Sequence, residues 1–169
     1  MDGFNFLIHG GYVMTISFQQ MNESEFDTYL EFLIPDYGSD FAKNFMIPLE
    51  KAMDDSRELI TNLFPEKQAT EGQYVFHVFC HEENERVGVI WYSFQKETNK
   101  AFIYHIYINE SHRKNGYGTA TLKMVEDSVV KDLGAHSVGL SVFGSNEHAC
   151  ELYKKMGYSV SSIAMDKKL

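Results

Sequence analysis

The sequence is poor in the residues that mark several whole classes of protein. Cysteine occurs twice in 169 residues, as Cys80 and Cys150. The two lie far apart and outside any CxxC or Cys/His spacing, which argues against a disulfide framework or a zinc site and fits a reducing cytoplasm. No apolar run approaches the roughly 20 residues that cross a bilayer, so no membrane partner is expected. Basic residues are also scarce: 15 Lys and Arg stand against 24 Asp and Glu, for a formal charge of -9. That balance opposes a general phosphate-backbone binder and mildly favours a cationic partner over a nucleic acid. Three prolines and the absence of any repeat or low-complexity tract leave no interdomain linker to find.

What is present is aromatic and apolar in patterns. Thirteen Phe and ten Tyr occur in a chain of single-domain length that is 44% hydrophobic. The opening "MDGFNFLIHGGYV" has no Lys or Arg before its apolar part and no small-residue cleavage site, so it does not read as a signal peptide. It reads as an extension, residues 1–13, native or appended, ahead of one domain spanning 14–169. Thr15 to Gln19 suit a short strand. Asn22 or Ser24 then offers an N-cap to a helix in which Phe26, Tyr29, Leu30 and Leu33 recur at helical spacing. Pro35 and Gly38 predict a kink or loop over Ile34 to Ser39 before the helical pattern resumes.

From Tyr74 the pattern changes to β-branched and aromatic runs, "YVFHVFC", "RVGVIWYSF" and "AFIYHIYI", the first two joined by the charged "HEENE" as a hairpin. Runs this uniformly apolar suit a sheet covered by helices on both faces. Leu122, Val125, Val129 and Leu133 then mark a helix closing at Gly134. A strand "SVGLSVF" follows, then a helix with Ala149, Leu152, Tyr153 and Met156 on one face. Ser145 or Asn146 would cap this helix and Gly157 end it. A last strand is expected over Tyr158 to Met165. The class is α/β or α+β with a mixed sheet.

The segment "RKNGYG" stands where a strand feeds a helix. A helix start leaves backbone N–H groups unpaired, and glycine lets an anion approach them closely, so the seam is suited to a pyrophosphate. Arg113 and Lys114 would add positive charge at its rim, and the Thr119 hydroxyl a further bond. Tight packing alone can also place glycines in such a turn. The spacing fits neither the GxxxxGK-Ser/Thr phosphate loop nor the GxGxxG dinucleotide fingerprint, because the third glycine is missing after Gly116 and Gly118.

"IYINESHRKNGYGTATL" resembles the acyl-CoA motif of the GNAT superfamily of N-acetyltransferases, with Arg113, Gly116 and Gly118 filling its Gln/Arg-x-x-Gly-x-Gly/Ala places. "NEHACELYKKMGY" resembles the family's second motif through Asn146, Ala149, Tyr153 and Gly157–Tyr158. Two motifs in the right order are more specific than either one.

The resemblance implies a bent mixed sheet with helices on both faces, and acyl-CoA in the split between its central parallel strands. Main-chain groups of Ile106, Tyr107 and Ile108 would meet the pantetheine arm. Arg113, Lys114, Asn115, Gly116, Tyr117, Gly118 and Thr119 would hold the phosphates, with Asn146 and Ala149 as further cofactor contacts. Tyr153 matches the family's general acid.

The strand carboxylate that often serves as base is absent. His105 is the candidate there by its ordinary pKa of about 6.5, although alternation sends it to the face opposite Tyr104. Glu110, His77 and His81 are weaker candidates, and deprotonation through water is an alternative. Asp36, Tyr37 and Asp40, on the expected loop, could hold a cationic amine by charge and cation-π contact, or could simply be solvated. The expected activity is transfer of an acetyl group from acetyl-CoA to a primary amine of a small molecule or peptide, without metal, by a cytoplasmic monomer or homodimer. The competing expectation is a non-catalytic acyl-CoA sensor or partner module.

Overall fold

The structure is a computed structural model and describes residues 4–7 and 13–167. It divides into two compact units, one built from the described residues of Met1–Asn22 with Gln68–Ser141, the other from Glu23–Lys67 with the described residues of Val142–Leu169. Each is taken in turn.

The first unit is a six-stranded sheet in the order β1-β2-β3-β4-β5-β6. Its strands are β1 (Phe4–Leu7), β2 (Val13–Gln20), β3 (Gln73–Cys80), β4 (Glu85–Gln95), β5 (Lys100–Ile108) and β6 (Ser137–Leu140). Neighbours are antiparallel from β1 to β5, and β5 pairs β6 in parallel, so the sheet is mixed as expected. The strand β1 lies inside the segment read as an extension and pairs Phe4 with Ile16. Ile90, Trp91, Tyr92 and Ser93 are buried in succession, which requires cover on both faces of β4.

A parallel pair needs a crossover, and α3 (Tyr117–Leu133) supplies it between β5 and β6. Its apolar face, with Leu122, Val125 and Val129 fully buried, packs on β4 and β5. Each of those side chains contributes about 1.5–3 kcal/mol. The helix stops at Gly134, whose left-handed backbone (φ 70°) returns N–H groups to the Val129 and Val130 carbonyls.

The second unit contains α1 (Glu23–Phe45), α2 (Leu49–Leu63) and α4 (Glu147–Lys155). Asn22 directly precedes α1, and Phe26, Tyr29 and Leu33 are buried as their spacing predicted. The kink or loop expected at Ile34 to Ser39 is not there, because α1 runs unbroken through Pro35. Pro35 removes the donor for the Glu31 carbonyl, and both residues are solvent-exposed, so water can take that acceptor. Gly38 stays because α2 is close: a Cβ there would lie 2.7 Å from Met53 Sδ and 3.3 Å from Met53 Cα. The break falls instead at Met46–Pro48, with Met46 in the left-handed region (φ 54°) and Pro48 leading into α2. Phe64 then stands edge-on to Phe26 at 5.0 Å.

Two strand expectations are corrected. β6 ends at Leu140 and does not reach Phe143. Tyr158 to Met165 forms no strand: Val160, Ile163 and Met165 are 64%, 76% and 90% exposed. Ser161 and Ser162 interrupt the alternation of apolar residues there, so no single face is left to bury.

Gly88 fixes how closely β4 and β5 meet, since a Cβ at that position would sit 2.2 Å from the Tyr107 carbonyl oxygen and 3.2 Å from Ile108 Cα. Backbone on the far side cannot yield as a side chain can. Gly88→Ala is expected to cost about 3 kcal/mol, the upper end of overpacking penalties, read as a lowered midpoint in urea unfolding. A midpoint close to that of the unaltered protein would show that β5 does not depend on this contact.

Candidate active site

The first unit builds its site where β5 leaves β6. Lys100 to Ile103 pair with Ser137 to Leu140, and the pairing ends there. On the opposite edge, Trp91 faces His105 and Tyr92 faces Ile103, so Tyr104 is the extra residue of a β-bulge. A bulge bends its strand and strengthens the twist, which turns β5 away from its parallel neighbour at that point. The Tyr104 ring is held by stacking on Trp91 (4.5 Å, 15°) and by an edge contact with Phe102 (4.9 Å). Trp91 is itself fixed by an Nε1–H donated to Gln73 Oε1 at 2.7 Å.

Beyond the bulge His105, Ile106, Tyr107 and Ile108 keep their β4 partners, while their other edge carries no strand among the described residues. That edge offers main-chain donors and acceptors to an extended ligand. One acceptor is already taken, as the Ile108 carbonyl receives Arg113 Nε–H at 3.0 Å. The same guanidinium lies 5.3 Å from the Tyr107 ring centroid.

From Ile108 the chain passes through a 3₁₀ turn, Glu110–His112, to an exposed Arg113, Lys114 and Asn115. Lys114 (φ 66°) and Gly116 (φ 91°) are both left-handed, and Gly116 is the N-cap of α3. Having no side chain, Gly116 cannot cap the helix. The first helical N–H to reach a carbonyl is that of Ala120, bonded to Gly116 O at 3.0 Å. The amides of Tyr117, Gly118 and Thr119 precede it, at the positive end of the helix dipole. The Tyr117 side chain is buried and donates its hydroxyl to Cys80 Sγ at 3.3 Å, so only its main chain can meet a ligand.

In the second unit Asn146 is the N-cap of α4, and its side-chain oxygen accepts from Ala149 N–H at 3.1 Å. Tyr153, half-buried, faces Tyr158 at 5.8 Å, and burial raises its phenol above the ordinary value, with a smaller push from Cys150. Asp36, Tyr37 and Asp40 lie on α1 and not on a loop. Both aspartates are exposed, whereas Tyr37 is half-buried against Phe41 (6.0 Å) and Phe143 (6.4 Å), and loss of hydration raises its phenol.

The model of the acetyltransferase (GNAT) family matches residues 25–158. The chain belongs to this family. Two relatives described as uncharacterized N-acetyltransferases of Bacillus subtilis agree with it: YdgE, 27% identical over 92% of this chain and 99% of its own length, and YycN, 28% identical over 92% and 100%. The crystal structure of YycN superposes with a TM-score of 0.85 at 27% identity, over 92% of this chain and 99% of that one. An acetyl transferase structure from Pyrococcus furiosus, 24% identical, covers 92% and 99% with a TM-score of 0.66 and shares the fold. The mixed sheet, parted at its parallel pair, with α3 as crossover, is the GNAT-like α/β fold.

Within this GNAT domain the candidate base is set by its surroundings. His105 packs beside Tyr107 (6.2 Å), and loss of hydration pushes its imidazole down to about 4. At neutral pH it is therefore uncharged, with little thermodynamic pull on a proton. Of the two weaker histidine candidates, His81 Nε2 meets Ser17 Oγ at 3.0 Å and His77 lies on β3. Glu110 is exposed, 3.5 Å from Arg113 Nη1. No helix among the described residues is long and apolar enough to cross a membrane.

The sequence reading overlooked His112. Its Nε2 lies 2.6 Å from Glu85 Oε1 and 3.0 Å from Glu83 Oε2, tying the loop before α3 to the β3–β4 turn. These three residues are the only set of metal-ligand type among the described residues, and they hold one another at hydrogen-bond and ion-pair distances. No periodicity could reveal it, since Glu85 and His112 are 27 residues apart.

The depressed His105 value has a consequence for stability. Its folded-state pKa lies below the unfolded one of about 6.5, so between these values the unfolded chain binds more protons. Stability is expected to fall as pH drops from about 6.5 toward 4, and His105→Gln should flatten that slope in thermal melts across this range. An equal slope in the variant would mean that His105 is not held in its uncharged form.

Proposed function

We propose that this acetyltransferase takes its acetyl group from acetyl-CoA and delivers it to a primary amine of a small molecule or peptide. The observation that carries the reading is the pairing, along one continuous stretch from Tyr104 to Thr119, of a β5 edge that carries no strand among the described residues with an α3 start that no side chain caps. An acyl-CoA needs both: an edge for the amides of its pantetheine arm and N–H groups for its diphosphate. Main-chain groups of Ile106, Tyr107 and Ile108 would serve the arm. Amides from Gly116 to Thr119 would serve the phosphates, with Arg113, Lys114 and Asn115 at the rim. Asn146 and Ala149 are further cofactor contacts in this reading, which takes 14–169 as one functional domain.

In the reaction the amine nitrogen attacks the thioester carbon, an N–C bond forms, and the C–S bond breaks as the tetrahedral intermediate collapses. A backbone N–H near Ile106 would stabilise the oxyanion. The thiolate takes its proton from the Tyr153 hydroxyl. The phenol is protonated throughout the working range, but burial makes it a weaker acid, so transfer to a thiolate whose parent acid has a pKa of about 8.5 needs local help. The proton lost by the amine passes to His105 or through water to solvent. The low basicity of His105 supports the water route, with the imidazole as relay.

Asp36 and Asp40, exposed on α1 beside the ring of Tyr37, suit a cationic acceptor. The absence of a carboxylate on β5 favours one alternative, a module that holds acyl-CoA without turnover. Two free cysteines are compatible with a cytoplasmic location.

Calorimetric titration with acetyl-CoA, followed by thiol release across a panel of amines, tests the assignment. Binding with amine-dependent release is expected, and binding without release from any amine would favour the non-catalytic module. Tyr153→Phe should lower turnover about 100-fold, within the usual range for loss of a general acid, while acetyl-CoA affinity stays unchanged. An unaltered rate where chemistry is limiting would remove Tyr153 from the mechanism.

A further inference from the structure

We propose that His112 is a positioning residue for acyl-CoA, setting the loop between β5 and α3 so that its amides converge on the diphosphate. The inference rests on the reading of that loop as the phosphate site. In the loop itself Arg113, Lys114 and Asn115 are exposed, two residues are left-handed, and Arg113 is tied back to the Ile108 carbonyl. What it has beneath it is a buried side chain with both ring nitrogens engaged. His112 is 9% exposed, its Nδ1 is 2.9 Å from Ser111 Oγ, and its Nε2 reaches both Glu85 and Glu83.

The anchor continues into the helix. The Tyr117 ring stands edge-on to the imidazole at 5.8 Å, and its hydroxyl meets Cys80 Sγ. Asn109 closes the other end, its backbone N–H on the Val87 carbonyl and its side-chain amide on the Arg86 carbonyl, each at 2.9 Å. The segment is thus pinned before, within and after the turn to one end of the β3–β4 hairpin. His112 is the central pin, two residues before the left-handed Lys114.

Glu83 and Glu85 would otherwise be a poor choice of neighbours for an anion site. Two carboxylates close to a helix start compete with a phosphate for its field. His112 Nε2 hydrogen-bonds one oxygen of Glu85 and lies 3.0 Å from one oxygen of Glu83, so both carboxylates are directed at the imidazole. The clamp therefore ties the loop to the β3–β4 turn and also holds two carboxylates at the imidazole.

A donor lacking the diphosphate isolates this role. Acetyl-CoA and S-acetylpantetheine share the thioester and the pantetheine arm, but only the first carries phosphates. In the full-length protein His112→Ala should raise KM and Kd for acetyl-CoA about tenfold or more, with kcat at saturation within about twofold, because misplacing donors weakens binding to them. The kcat/KM for S-acetylpantetheine should be unchanged. His112→Gln, which keeps a donor for the two glutamates, should recover most of the lost affinity.

Equal losses with both donors would reduce His112 to general structural support and overturn the proposal, as would unaltered acetyl-CoA kinetics in a folded variant. If His112→Ala does not fold, the Glu83→Gln/Glu85→Gln double variant is read in the same way and should show a smaller shift confined to acetyl-CoA. Should the unaltered protein use both donors equally well, the phosphate reading of the loop fails, and the proposal with it.

Discussion

The site depends on β5 being able to pair with β6 for only four residues. If Tyr104 to Ile108 had a second neighbour, every main-chain donor and acceptor along them would be spent inside the sheet. The bulge at Tyr104 prevents this, and it falls at the residue after the last parallel pair, Ile103 with Leu140. A bulge leaves a residue unpaired and must be stabilised from elsewhere. Here the stacking of Tyr104 on Trp91, and of Trp91's indole N–H on Gln73, supplies that support. Gly88 then brings β4 close beside the far end of the same stretch.

The helix start follows from the same geometry. A strand turned away from its parallel neighbour must still reach α3, which crosses to β6, and the chain does so in the few residues between Ile108 and Tyr117. Two left-handed residues make that turn, and the one at the cap is glycine. The result is a run of amides with no side-chain cap immediately following a strand edge that carries no strand among the described residues. In the proposed reading acyl-CoA, with a polar extended arm ending in phosphates, matches this order of functional groups.

Much of this was legible in the sequence because it is written in local patterns. The β-branched runs from Tyr74 to Ile108, the apolar face of α3 and the glycines at 116, 134 and 157 each follow from period or backbone freedom. The α4 cap at Asn146 was readable in the same way. Where the reading failed, a local signal was overruled by context. Pro35 sits inside α1 where it and Glu31, whose carbonyl it leaves without a donor, are both exposed to water, and Tyr158 to Met165 stays out of the sheet despite its composition. The bulge at Tyr104 and the His112 clamp had no local signal at all. Both are set by register and by partners distant in sequence, and a single chain does not display these as a pattern.

Amide hydrogen exchange with and without acetyl-CoA tests the central claim most directly. The account predicts slowed exchange on adding acetyl-CoA at the amides of Tyr104 to Ile108 that face away from β4, and at Tyr117 to Thr119. Lys100 to Ile103, already paired with β6, should be unaffected. Protection elsewhere with none along that edge and helix start would contradict it.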